Sequence, residues 1–497
     1  MTLSGDMSEE TAAKGGVLPP FAVAGSLRAP EGDIPAICAM SAGDLVRAIG
    51  AGEVSVVEVV TAFLDRIEAV NPVHNAIVSL RPRADILADA ARKDAERAAG
   101  ATVGPLFGLP VAIKDLSPTK GLTTTFGSPL FRDHVPDEDG ISTARIRAAG
   151  AIVTGKTNTP EFGLGSHSFN EVFGATGNAF DPTRSAGGSS GGAAVALATR
   201  MVPIADGSDM GGSLRNPAAF NNVYGLRPSF GRVPSLPAGS VFEAQLATDG
   251  PMARSAEDLA LLLAVQAGAD PRQPLSFGLA SLDEPRLTQD RPVRIGWLGD
   301  LGGHLAMEEG IRETALSAVA RIPGAETMPA DLDFEPERLW QSFVLQRQAA
   351  LAMRYGPLYD EPAKRALLKP EMQWEIEAGR TRSAVDLHRA YETRTALHLR
   401  LLDLFRRFDF LALPAAQVWP FPIGWRWPQM VAGRPMDSYH RWMECVALGT
   451  LSGCPVLALP AGLRDGLSTG VQIIAPHGRE ADLIELARIY ESRSRAN

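Results

Sequence analysis

The sequence is most informative first in what it lacks. Cysteine is scarce: three in 497 residues, at Cys38, Cys445 and Cys454. Three scattered thiols cannot build a disulfide framework, which points to a reducing compartment. No run of five Lys/Arg occurs and the net charge is −9, so a basic stripe for nucleic acid is excluded. The longest apolar run, near Leu259–Val265, falls far short of the roughly 20 residues needed to span a bilayer. The opening MTLSGDMSEETAAKGG carries acids and no apolar segment, unlike a secretory signal. No His pair has a metal-binding spacing such as H-E-x-x-H. The expectation is a soluble cytoplasmic protein with no nucleic acid, membrane, metal or cofactor.

What is present is a globular composition, 45% hydrophobic and 21% charged. Residues 1–38 are rich in Gly, Pro and acids and read as a surface tail. Ser41 with Asp44, and Ser55 with Glu58, have capping-box spacing. After Ser55, Val56, Val59, Val60, Phe63, Leu64 and Ile67 form a helical stripe that Asn71-Pro72 is expected to stop. NAIVSL (75–80), LPVAI (109–113) and AIVTGKT (151–157) read as strands, with helices over 83–99 and 141–150 between them. VRIGWLG is a strand, 306–407 is mostly helical, and FLALP (410–414), PVLALP (455–460) and GVQIIA (470–475) are late strands before a helix over 479–494. Strands alternating with helices argue an α/β sheet covered on both faces.

Two motifs invite wrong readings. GAIVTGKT (150–157) matches the phosphate-loop pattern, but a helix precedes Gly150 and an apolar strand fills the supposed loop. AGGSSGGAA contains G-x-S-x-G through Gly187, Ser189 and Gly191, the elbow of α/β-hydrolases. The segment before it, NAFDPTRSA, is too polar and Pro-broken to be the required strand. The downstream histidines (His304, His388, His398, His440, His477) have no motif context.

A third feature, GSDMGGSLRNPA (207–218), sets Gly211 and Gly212 where bare backbone can approach a ligand. Ser213 then lies beside N–H groups suited to an oxyanion hole. Asp209 and Arg215 are spaced to pin the loop by a charge-assisted hydrogen bond. Lys114 ends the apolar strand of GLPVAIKD; a lone lysine there is usually structural, but its conjunction with AGGSSGGAA and GSDMGGSLR changes that weighting.

Together GLPVAIKDL, GKTNTPEFG, AGGSSGGAA, GSDMGGSLRNPAAFNNVYGLRP and GCPVLALPAG resemble the amidase signature family over nearly the whole chain from about residue 40. The resemblance implies an α/β fold: a mixed twisted β-sheet flanked by helices on both faces, with a mostly helical insertion. The core would comprise 39–268 and 408–497, and the helical substrate-side region 295–407. It implies a catalytic set of Lys114, Ser189 after a cis peptide, and Ser213 as nucleophile. Backbone N–H groups from Met210, Gly211 and Gly212 to Ser213 would form the oxyanion hole, with Asp209, Arg215 and Ser190 in support. Gly163, Trp425 and Trp427 are the candidate substrate-binding positions. The Trp pair belongs to 415–445, a Pro/Gly-rich segment holding four of the seven Trp; it either offers aromatics to a substrate or glues a large loop to the core. The activity implied is amide hydrolysis of a small apolar or aryl substrate, with carbamate or ester cleavage also open. SLPAGSVFEAQLATDGPMARS looks more like free-standing amidases than transfer-RNA-linked ones. The alternative is an amidotransferase-type subunit needing partners. A homodimer is left open.

Overall fold

The computed structural model describes residues 34–494, apart from 236–239, 244, 279–284, 286 and 288–290. The tail expected at 1–38 lies almost wholly outside the described residues.

Ile77–Val78 (β1), Pro110–Lys114 (β2) and Ile152–Thr157 (β3) form a small sheet in the order β1-β3-β2. Phe169–Asn170 (β4) and Gly174–Ala175 (β5) make a short ribbon. The main sheet begins with Ile204–Asp209 (β6), Tyr224–Arg227 (β7) and Thr248–Ala253 (β8). Val293–Trp297 (β9), Ala325–Pro329 (β10) and Phe410–Pro414 (β11) follow. Met430–Val431 (β12) and Arg434–Pro435 (β13) pair only with each other. Val456–Arg464 (β14) and Leu467–Ile474 (β15) complete the main sheet, whose eight strands run β10-β9-β11-β15-β14-β7-β8-β6. Within this main sheet β10, β9 and β11 are parallel, and every other pairing is antiparallel.

Both faces of this sheet are buried, so β11 and the first six residues of β14 are apolar at every position rather than at alternate ones. Successive side chains go to opposite cores. Ala412, Leu457 and Ile473 pack with Leu259, Ala315 and Leu483 of the helices Ala256–Gln266, Ile311–Ala320 and Glu480–Ser494. Leu411, Leu413, Val456 and Ile474 pack with Phe343, Leu397 and Leu448 of the helices Pro336–Asp360, Ala384–Phe405 and Ala447–Ser452. No helix among the described residues is long and apolar enough to cross a membrane.

The helix expected to stop at Asn71-Pro72 runs from Val56 to His74. Pro72 falls in its last turn, and the stop comes at Asn75, in the left-handed conformation at φ 50°. Asn71 Oδ1 accepts from the N–H groups of Ala76 and Ile77, turning the chain into β1. The Ser55–Glu58 capping box forms as read. β10 is a strand within the region read as mostly helical; its AETMP is half exposed at the sheet edge and carries no apolar run.

Candidate active site

The site is built where the small sheet abuts β6. The two sheets share no ladder there; instead Lys114 N–H donates to Asp206 Oδ1 at 2.9 Å. This bond places the last residue of β2, and its amine, against the end of β6. Lys114 is wholly buried, and Nζ donates to Ser189 Oγ and Ser190 Oγ, both at 2.8 Å. Ser208 Oγ stands at 3.0 Å from the same amine. Burial pushes the Lys114 amine down to about 7, against the pull of Asp206, Asp249 and Asp209. A lysine in this state is about half unprotonated near neutrality, and so able to accept a proton.

Ser189 and Ser190 directly precede the helix Gly191–Ala198, and the Gly188–Ser189 peptide is cis. This turn is crowded on all sides. A Cβ on Gly188 would lie 2.8 Å from His167 N, and one on Gly192 only 2.4 Å from Asn158 N. The small residues of AGGSSGGAA are therefore close-packed backbone.

After β6 the chain makes the Met210–Ser213 turn. Asp209 holds it: Oδ1 accepts from Gly212 N–H at 3.0 Å and Oδ2 from Leu214 N–H at 3.1 Å. Arg215 grips the same carboxylate through Nε at 3.0 Å and Nη2 at 2.9 Å, with both side chains wholly buried. Arg215 also donates to Val446 O, Gln472 Oε1 and Thr450 Oγ1. Burial alone would raise the Asp209 carboxyl; Arg215 and Arg227 overcome this and hold it well below the usual carboxylate range. Arg227, not read from the sequence, donates to Asp209 O.

The Asp209 bond to Gly212 corrects one expectation. That N–H is already engaged, because a carboxylate three residues earlier is the stronger local acceptor. The N–H groups of Met210, Gly211 and Ser213 meet no acceptor among the described residues. They are the donors left for an oxyanion. Ser213 Oγ also has no hydrogen bond to a described residue, and it opens with Ser189 onto a cavity of about 390 Å³. That volume suits a small organic ligand.

The cavity's apolar wall comes from Leu116, Phe126, Phe162, Leu351 and Tyr355, among others. The Phe162 and Tyr355 rings lie 4.5 Å apart between centroids, joining the Glu161–Gly163 turn to the helix Pro336–Asp360. Gly163 lines the cavity at φ +72°, where a Cβ would stand 2.7 Å from Leu116 Cδ1 and 3.4 Å from Ser189 Oγ. Trp425 and Trp427 are not brought to it. Trp425 is 48% exposed beside Phe421, and Trp427 packs against Tyr439 in a cluster centred on Trp442. The loop's aromatics pack against the protein and one another because Pro and Gly turn the segment back on its own rings. From 415–445 it is Met443 that reaches the cavity.

None of the eight histidines lines the cavity. Among the described residues one group of metal-type donors converges, His304, Glu337 and Glu444. Arg441 already pairs with both carboxylates.

The Amidase family model matches residues 58–484. The chain is 36% identical over 479 residues to a glutamyl-tRNA(Gln) amidotransferase subunit from Thermus thermophilus, covering 91% of this chain and 97% of that protein. Among solved structures it resembles a bacterial aryl acylamidase of the amidase signature family, with a TM-score of 0.84, 28% identity and 92% and 96% of the two chains covered. It also resembles 6-aminohexanoate cyclic dimer hydrolase bound to substrate, with a TM-score of 0.79, 26% identity and 92% and 97% covered. The chain belongs to the amidase family.

Proposed function

We propose that the protein is a free-standing amidase that hydrolyses the C–N bond of a small apolar or aryl amide through an acyl-Ser213 intermediate. The observation that carries this reading is the 2.8 Å bond from Lys114 Nζ to Ser189 Oγ, with Ser189 and Ser213 opening on one cavity. A serine hydroxyl needs a base to become nucleophilic. Ser213 Oγ attacks the carbonyl carbon while its proton passes to Ser189 Oγ and that of Ser189 to Lys114 Nζ. The N–H groups of Met210, Gly211 and Ser213 take the developing oxyanion. As the C–N bond breaks, the relay runs backwards and protonates the leaving nitrogen. Water then attacks the acyl ester by the same path, restoring Ser213. No metal or cofactor enters this sequence. Carbamates and esters suit the same chemistry, and the apolar wall of Leu116, Phe126, Phe162, Leu351 and Tyr355 favours an aryl or alkyl group.

The second reading is an amidotransferase subunit that works with partners, favoured by 36% identity to one such protein over 97% of its length. Assay of the purified chain, without ATP or partner, on a panel of acyl anilides, alkyl amides, carbamates and esters separates the two. The proposal expects turnover of aryl or apolar substrates that Ser213→Ala abolishes. Turnover of glutamine alone, and only with added partner subunits, would establish the second reading.

A further inference from the structure

Lys114 Nζ is surrounded by hydroxyls, and no carboxylate among the described residues bonds to it. A carboxyl group nevertheless lies opposite Ser208, one of those hydroxyls. β6 and β8 are antiparallel, and their register sets Asp249 opposite Ser208. Cross-strand partners project from the same face, so Asp249 shares the face from which Ser208 Oγ meets the Lys114 amine. Asp206 lies on that face as well, two residues before Ser208. Asp249 is half-buried and lines the cavity with Ser189, Ser208 and Ser213. Its carboxyl takes no hydrogen bond and no ion pair among the described residues, which is costly for an ionised carboxylate in an enclosed wall.

We propose that Asp249 is a positioning residue for the proton relay: its carboxyl, on the face from which Ser208 meets Lys114, sets the pH at which that lysine becomes a free base. The inference rests on the proposed role of Lys114. The other charged groups around the pair are Asp206 and Asp209 on β6, Lys156 on β3, and Asp115 just after β2. Glu243, Arg347 and Arg354 face the same cavity. Burial, then Asp206, pushes the Asp249 carboxyl up to about 7, with Lys114 opposing. Burial brings the Lys114 amine down to about the same value. Both groups therefore change charge around neutrality, and the charge of each acts on the other. An ionised Asp249 favours the Lys114 ammonium. A neutral residue in its place lets the free amine persist to lower pH.

The test is the rate of fluorophosphonate labelling against pH. In that reaction the Ser213 Oγ–P bond forms, fluoride leaves, and the serine proton passes through Ser189 to Lys114. Asp249→Asn is expected to move the acid limb down by about one unit, the effect of removing one nearby opposite charge. Asp249→Ser is expected to do the same, and Asp249→Glu to keep the limb near its wild-type position. An unmoved or raised limb in whichever neutral variant folds would overturn the proposal. So would a higher KM for a cationic substrate with the limb unmoved, which would assign Asp249 to substrate binding. Failure of the wild-type protein to label at Ser213 would instead sink the relay itself, and the role of Asp249 with it.

Discussion

Lys114 and Lys156 are buried amines on paired strands, one position apart in register: Lys114 lies opposite Thr157, and Lys156 opposite Ile113. Burial lowers both, to about 7 and about 8. Neither touches the cavity itself. They differ in what they hold. Lys156 Nζ donates to Ser117 O at 2.6 Å and to Thr119 Oγ1 at 2.8 Å. A carbonyl accepts a hydrogen bond but passes no proton on, and Thr119 is wholly buried away from the cavity. Lys114 Nζ meets Ser189 Oγ, a hydroxyl that both accepts and donates and that opens on the cavity. Burial makes each lysine a potential base; under the proposed mechanism only the partner's chemistry makes one of them useful. Lys156 is also the lysine of GAIVTGKT, the stretch that imitates a phosphate loop, and it sits inside the strand β3.

The largest way to break this comparison is to exchange the fates of the two lysines. Lys114→Ala should lower kcat by about 10³-fold, the scale of general-base catalysis, while Lys156→Met stays within about threefold of wild type. Equal losses in steady-state kinetics would void the distinction. The two hydroxyls on Lys114 sharpen it next. Ser189 lines the cavity and Ser190 does not. Ser189→Ala should therefore cost about 10²-fold in kcat, and Ser190→Ala about tenfold or less. The pH profile follows from the same amine. In the proposed relay Lys114 acts unprotonated, and burial brings its amine down to about 7, so kcat/KM should fall about tenfold per unit as pH drops below that value. A limb near 8 that vanishes in Lys156→Met would assign the base to the wrong lysine.

A smaller effect is expected at Gly163, where an added methyl meets Leu116 and approaches Ser189 Oγ. Gly163→Ala should lower kcat/KM by about tenfold through misplacement of the relay hydroxyl or the substrate. The smallest belongs to Trp425, outside the cavity lining. Trp425→Ala should leave kcat/KM for an aryl amide within about twofold, as surface changes away from the chemistry do.

The site's polar half was legible because its residues lie in short contiguous runs. Lys114 ends an apolar strand, and Asp209, Ser213 and Arg215 fall within seven residues of one another. The rest was hidden for identifiable reasons. β6, IADGSD, reads as an acidic turn because Asp206, Ser208 and Asp209 serve the site rather than a core. β8, TDGPMA, is disguised by Gly250 and Pro251, and with it Asp249. The engagement of Gly212 N–H depends on where the Asp209 side chain turns, which no residue pattern encodes. The cavity's apolar wall joins Phe162 to Tyr355 across nearly 200 residues, a pairing made only by tertiary packing. The Trp-rich loop had two readings because aromatic density signals burial as readily as a ligand, and neither Trp425 nor Trp427 lines the cavity.

Peptide mapping of the fluorophosphonate adduct tests the central claim most directly. The account predicts a single modified serine, Ser213, with labelling abolished in Ser213→Ala and strongly slowed in Lys114→Ala. An adduct on Ser189, or undiminished labelling of Ser213→Ala, would contradict it.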